Sequence, residues 1–147
     1  MSDQVPAASR GHSLVLRTVV VIGLAIDAYV HFKLAPNFDE LKGTGALAVS
    51  QGLLFRVEAV AAILATVLVV VWRVRATAML AFAVAAGGVV AVLLYHYFEI
   101  GPIGPLPDMH DPTWTPEKVI SLIAEAVAAV AALVLVFQPA RREVPVA

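Results

Sequence analysis

Polar residues are scarce over four long stretches of the chain, and everything else is arranged around those stretches. The apolar runs extend from about Leu14 to Leu34, Gly52 to Trp72, Ala76 to Tyr97 and Val119 to Phe137. A helix rising 1.5 Å per residue needs about 20 such residues to cross hydrocarbon, so each run predicts one transmembrane helix. The links between them are a very short basic turn, Arg73-Val74-Arg75, and two longer polar loops, Pro36 to Ser50 and the segment after Phe98. Up-and-down helices with short links predict a four-helix membrane-spanning bundle, all-α, forming one transmembrane domain over residues 1–147. Met1 to His12 is polar and is expected to be a disordered tail.

Start and stop signals sharpen these boundaries. Ser50 can cap the second helix, while Thr115-Pro116-Glu117 offers a cap, a first-turn proline and an early acid to the fourth. Gly101-Pro102-Ile103-Gly104-Pro105-Leu106-Pro107 cannot continue a helix and is expected to be extended, polyproline-like backbone. Asp27 and His31 interrupt the first apolar run, which favours a retained membrane helix over a cleaved signal peptide.

The second and fourth runs look like copies. Residues 58–70 and 125–137 agree at 9 of 13 positions, each opening with a glutamate. Gly23 and Gly88, His31 and His96, and Glu58 and Glu125 are separated by 65, 65 and 67 residues. The chain therefore reads as two tandem helical hairpins related by a pseudo-two-fold axis along the membrane normal. Several matches follow from shared Ala and Val content, and Asp27 has Val92 opposite it.

Composition agrees with the pattern: 61% of the 147 residues are hydrophobic and 14% charged, against about 25% charged in soluble domains. A net charge of −1 provides no basic stripe for nucleic acid. The absence of cysteine removes disulfides, thiolate nucleophiles and iron–sulfur clusters. Arg10, Arg17, Arg73, Arg75, Arg141 and Arg142 fall on one side of the spans, and Lys33, Lys42, Arg56 and Lys118 on the other. Basic residues are retained on the cytoplasmic side, so both termini are expected there, in the cell membrane, with the two longer loops outside.

The candidate chemistry lies in the outer half. At 1.5 Å per residue, His31, Arg56 and His96 sit about 5–8 Å below the outer boundary, and Asp27, Glu58 and Glu125 about 10–13 Å. Gly23, Asp27 and His31 follow one another at spacings of four, and Lys118, Ser121 and Glu125 at three and four, so each set forms a single helical stripe. Arg56 and Glu58 are two apart and cannot both face the core. Intramembrane ionisable groups are expensive and default to function, yet they can also neutralise one another: Asp27 with His31, Arg56 with a carboxylate, Lys118 with Glu125. A ligand reading uses His31, His96, Glu58 and Glu125 as metal ligands, or the two histidines for haem iron; a quinone site would use the same residue types. The di-iron Glu-x-x-His spacing is missing. Hydrolysis is disfavoured because Ser50 and Ser121 have no evident His partner, and a channel because the inner half offers no polar path.

Val30-His31-Phe32-Lys33-Leu34, Leu54-Phe55-Arg56-Val57-Glu58-Ala59, Gly104-Pro105-Leu106-Pro107-Asp108-Met109, Trp114 and Glu117-Lys118 together resemble small four-helix membrane proteins of actinobacteria. In span count and size the chain is also similar to the DoxX-like membrane proteins. The resemblance implies the membrane fold and assigns no residue a role. Two function classes follow. One is a structural or accessory membrane protein that meets a partner, or a second copy, through Gly/Ala-rich faces. The other is a membrane protein that binds a metal or cofactor.

Overall fold

The computed structural model describes residues 7–138, with side chains from residue 11 onward. Four helices span Ala7–Leu34 (α1), Gln51–Val71 (α2), Arg75–Tyr97 (α3) and Pro116–Phe137 (α4). All four are long and apolar enough to cross a membrane. Among the described residues there is no strand. Arg141 and Arg142 of the charge argument lie outside the described residues, as do residues 1–6 of the expected tail.

Two boundaries differ from expectation. Residues 7–12 belong to α1 rather than to a disordered tail; Ala7-Ala8 and Arg10 are good helix formers that extend the first apolar run at little cost. Ala35–Phe38 forms a 3-10 turn directly after α1, where Pro36 can enter a first turn that has no need of its N–H. The predicted caps form. Ser50 Oγ accepts from Leu53 N at 3.0 Å, and Thr115 Oγ1 from Lys118 N at 3.2 Å.

The helices form a ring in which α1 packs on α2 and α4, and α3 on α2 and α4. Their contact is made by small side chains: Ala59, Ala62 and Ala65 of α2, Ala78, Ala81 and Ala85 of α3, and Ala128 and Ala132 of α4 are all fully or almost fully buried. Val20 and Leu24 of α1 fill the remaining centre. Small residues let backbones approach, and in lipid that close packing replaces the hydrophobic driving force. The large residues point the other way. Ile22, Val60, Leu64, Val67, Val90, Ile123 and Val130 are exposed, a distribution that suits hydrocarbon as the surrounding solvent.

Gly23 marks the closest approach of α1 and α4. A Cβ there would stand 2.7 Å from the Ala124 carbonyl and 2.8 Å from Ala128 Cβ. The stripe of Gly23, Asp27 and His31 is thereby turned toward α4.

At the end of the bundle away from the Arg73 turn the two long loops dock on each other. Val49 N donates to Pro105 O at 2.8 Å, and Thr44 gives Gly104 O both its N–H and its hydroxyl. Gly43 has no room for a side chain, because a Cβ would collide with the Pro105 carbonyl. Residues 101–107 are not extended throughout. Ile103 and Leu106 exchange hydrogen bonds at 3.3 and 3.0 Å around Gly104, whose φ is +57°. A glycine with positive φ ahead of Pro105 closes a tight turn, a local option stronger than the polyproline tendency of its neighbours.

Candidate functional site

The site lies where α1 and α4 meet, in the half of the bundle nearer the two long loops. The four-residue spacing on α1 carries Asp27 and His31 on the same face as Gly23, and the close approach at Gly23 brings Ser121 and Glu125 of α4 opposite them. Ser121 Oγ donates to Asp27 Oδ1 at 2.7 Å and stands 3.5 Å from Glu125 Oε1. His31 Nδ1 is 2.8 Å from Asp27 Oδ1 and 3.1 Å from the Asp27 main-chain oxygen. Both neighbours are acceptors, so Nδ1 carries a proton in this arrangement. Asp27 and Glu125 are completely buried.

α3 contributes a space instead of a side chain. A Cβ on Gly88 would overlap the Glu125 carboxyl, with the carboxyl carbon only 2.6 Å away. The adjacent Gly87 has nothing within 4 Å. Gly88 is therefore the seat of the Glu125 head group.

One ligand atom each from Asp27, His31 and Glu125 lie within 4.8 Å of one another. Two carboxylates so close in a low-dielectric interior cannot both remain charged without compensation. One imidazolium can offset one of them, and the second needs its own proton or a bound cation. The hydrogen-bond inventory points the same way: Asp27 Oδ2 and Glu125 Oε2 are buried and receive no donor from any other side chain, so only a proton shared between the two carboxyl groups or a cation can satisfy them. A buried oxygen left unpaired costs about 1–3 kcal/mol, and more if charged.

The other predicted site residues are spread around this centre. Glu58 of α2 is within electrostatic reach of Asp27 and His31, and its Oε1 is buried without a partner; it is not one of the three converging ligands. His96 is also outside that trio. Its ring lies against Trp114 with centroids 3.9 Å apart and planes tilted by 38°, and meets Tyr97 edge-on at 4.6 Å, with Nδ1 buried and unpartnered. His31 is covered from the α2 side by Phe55, centroid to centroid 5.1 Å, and Phe55 in turn packs on Phe38.

Arg56 and Lys118 serve the loops rather than the centre. Arg56 makes a two-pronged pair with Asp39 at 2.6 and 2.8 Å, so the member of the Arg56/Glu58 couple that leaves the interior is the arginine. That hydrogen-bonded guanidinium holds the Asp39 carboxyl below its ordinary value. Lys118 does not reach Glu125, as its stripe suggested; its ammonium bonds the Asp111 carboxylate and carbonyl, both at 2.7 Å. The shorter route to partly hydrated groups costs less than carrying a charge inward. Partial burial of Asp111 works to raise its pKa, but the Lys118 bond and the Thr113 N–H prevail and hold it below the ordinary value.

Ser121 is the member that sequence reasoning left out of the cluster. Its place on one stripe with Glu125 was the available signal. Its hydroxyl is committed to a carboxylate, not to an imidazole, which is no arrangement for a nucleophile. Compared with family models, with curated proteins and with solved structures, the chain finds no match.

Proposed function

We propose that this multi-pass membrane protein binds one divalent metal cation between α1 and α4, through Asp27, His31 and Glu125. The observation that carries the reading is the convergence of those three donors within 4.8 Å, with Asp27 Oδ2 and Glu125 Oε2 receiving no donor from any other side chain. A divalent ion balances two carboxylates at once, leaves the imidazole neutral as a ligand, and takes the place of a proton shared between the carboxyl groups. One nitrogen and two oxygen donors suit zinc, manganese, iron or cobalt better than magnesium or calcium, which prefer all-oxygen shells. Ser121 fixes the orientation of the Asp27 carboxylate, as hydrogen-bonding neighbours of metal ligands do. Glu58 is the nearest reserve donor and His96 stays with its aromatic neighbours, so a two-histidine haem site draws less support from the geometry. Metal uptake displaces protons from the centre, and binding weakens as pH falls.

The charge asymmetry of the loops supports cytoplasmic termini and, with them, a centre in the outer half of the membrane. A second reading is that the centre is structural and the protein is accessory to a larger membrane complex. The closed Asp27, His31 and Ser121 hydrogen-bond set favours it, because such sets can fix helix register without any ligand. Metal titration of chelator-stripped protein, with metal content measured after desalting, separates the two. The metal reading expects about one equivalent bound by wild type and loss in Glu125→Gln; no binding by wild type refutes it in favour of the structural reading.

A further inference from the structure

On the lipid side of the same helix pair runs an apolar groove of about 590 Å³, lined by Ile22, Ala25, Ile26 and Tyr29 of α1 and by Ile120 of α4. Its outer end is closed by Lys33 and Glu117, which pair across the groove at 3.1 Å. From Ile22 to Lys33 the helix rises about 16 Å, close to the half-thickness of a bilayer's hydrocarbon, about 15 Å. The groove thus begins near the membrane midplane and ends on a dipole of fixed charges at head-group level.

That dipole is incompletely used. The Lys33 ammonium has three donors and gives one to Glu117 Oε1. The two side chains are 51% and 32% exposed, open enough to accept further partners. An exposed pair of this kind contributes little by itself, so opening it slightly for a second pair costs little. Tyr29 stands one helical turn below Lys33 and is 67% exposed, where an amphipathic ring meets the ester region of a lipid.

We infer that this groove holds one zwitterionic phospholipid with a primary-amine head group, a phosphatidylethanolamine. One acyl chain lies along Ile22, Ala25, Ile26 and Ile120, the phosphate meets the Lys33 ammonium, and the head-group ammonium meets the Glu117 carboxylate. Charge complementarity selects this occupant. An anionic lipid satisfies Lys33 and is repelled by Glu117, whereas a choline head group has the right charges but no N–H to donate to the carboxylate. The inference is independent of the metal reading, since Asp27, His31 and Glu125 face the opposite side of the helix pair.

Native mass spectrometry of the full chain, delipidated and then offered phosphatidylethanolamine, phosphatidylglycerol or phosphatidylcholine of identical acyl composition, tests it. Wild type is expected to retain one phosphatidylethanolamine with roughly two- to fivefold preference over each of the others, the worth of one added exposed ion pair. Glu117→Gln should abolish the preference over phosphatidylglycerol, Lys33→Gln should weaken all three, and Ala25→Trp, which fills the exposed groove, should remove the bound lipid while helix content stays unchanged. Glu99→Gln in the outer loop is the control and should behave as wild type. Equal retention of the three lipids by wild type, a preference for phosphatidylglycerol or phosphatidylcholine, or wild-type selectivity in both Lys33→Gln and Glu117→Gln would overturn the inference.

Discussion

Two adjacent glycines give the reasoning its sharpest test. Gly87→Ala and Gly88→Ala make the same chemical change one residue apart on α3. At Gly87 the new methyl meets nothing within 4 Å, and the gain in helix propensity is up to about 1 kcal/mol. At Gly88 the methyl would stand 2.6 Å from the Glu125 carboxyl carbon, whereas carbon contacts are comfortable at about 3.5–4.0 Å. The carboxyl therefore has to retreat by about 1 Å. Overpacking of this kind costs about 1–3 kcal/mol, which the propensity gain partly offsets, so the net loss of stability is about 0–2 kcal/mol. The consequence for the ligand is larger, because metal–ligand distances tolerate only about ±0.2 Å. Gly88→Ala should weaken zinc or cobalt binding by about 10–100-fold, the usual penalty for disturbing the support of a ligand. The assay is a competition titration against a chelator in detergent, paired with thermal unfolding of both variants. Equal metal affinity in Gly87→Ala and Gly88→Ala would refute the claim that Gly88 seats a ligand.

Further predictions follow the same geometry. Asp27→Ala should cost about 3–5 kcal/mol by stranding His31 and Ser121 in the interior, while Asp39→Ala, whose side chain is 40% exposed, should cost clearly less; chemical denaturation in detergent checks the ordering, and equal losses would contradict it. Because the folded-state pKa of Asp111 is depressed, its pairing with Lys118 contributes stability above the ordinary Asp value of 3.8 that is lost as pH falls through the lower folded value. Melting followed from pH 6 down to pH 3 should therefore fall more steeply in wild type than in Lys118→Met, and parallel curves would count against the pairing. For orientation, cysteines replacing Glu40 and Val74, both exposed, should differ in intact cells: a membrane-impermeant reagent labels the first and spares the second, and the reverse pattern would invert the topology.

The four spans were readable to within a few residues because length and hydropathy alone decide what can cross hydrocarbon. The α1 stripe was equally legible: a spacing of four on a helix leaves Gly23, Asp27 and His31 no choice but a common face. Which helix that face would meet was not legible. Symmetry suggested a site shared by matched residues of the two hairpins, whereas Asp27, which has no counterpart, stands in the converging trio. The pairings of Arg56 and Lys118 depend on where the loops fold back, and loop paths leave no periodic trace. The seat at Gly88 was hidden for a related reason. A glycine's role is set by what faces it: the 65-residue offset pairs Gly88 with Gly23 but carries no sign of the Glu125 carboxyl that α4 brings against it.

The proposed metal lies between α1 and α4, in the half of the bundle nearer the two long loops. Anomalous diffraction from zinc- or cobalt-loaded protein tests it most directly, since it locates the ion without reference to any activity. The account predicts one anomalous peak within about 2.0–2.2 Å of a His31 nitrogen and of carboxylate oxygens from Asp27 and Glu125. A peak at His96 or His110, or loaded crystals with no peak between α1 and α4, would contradict it.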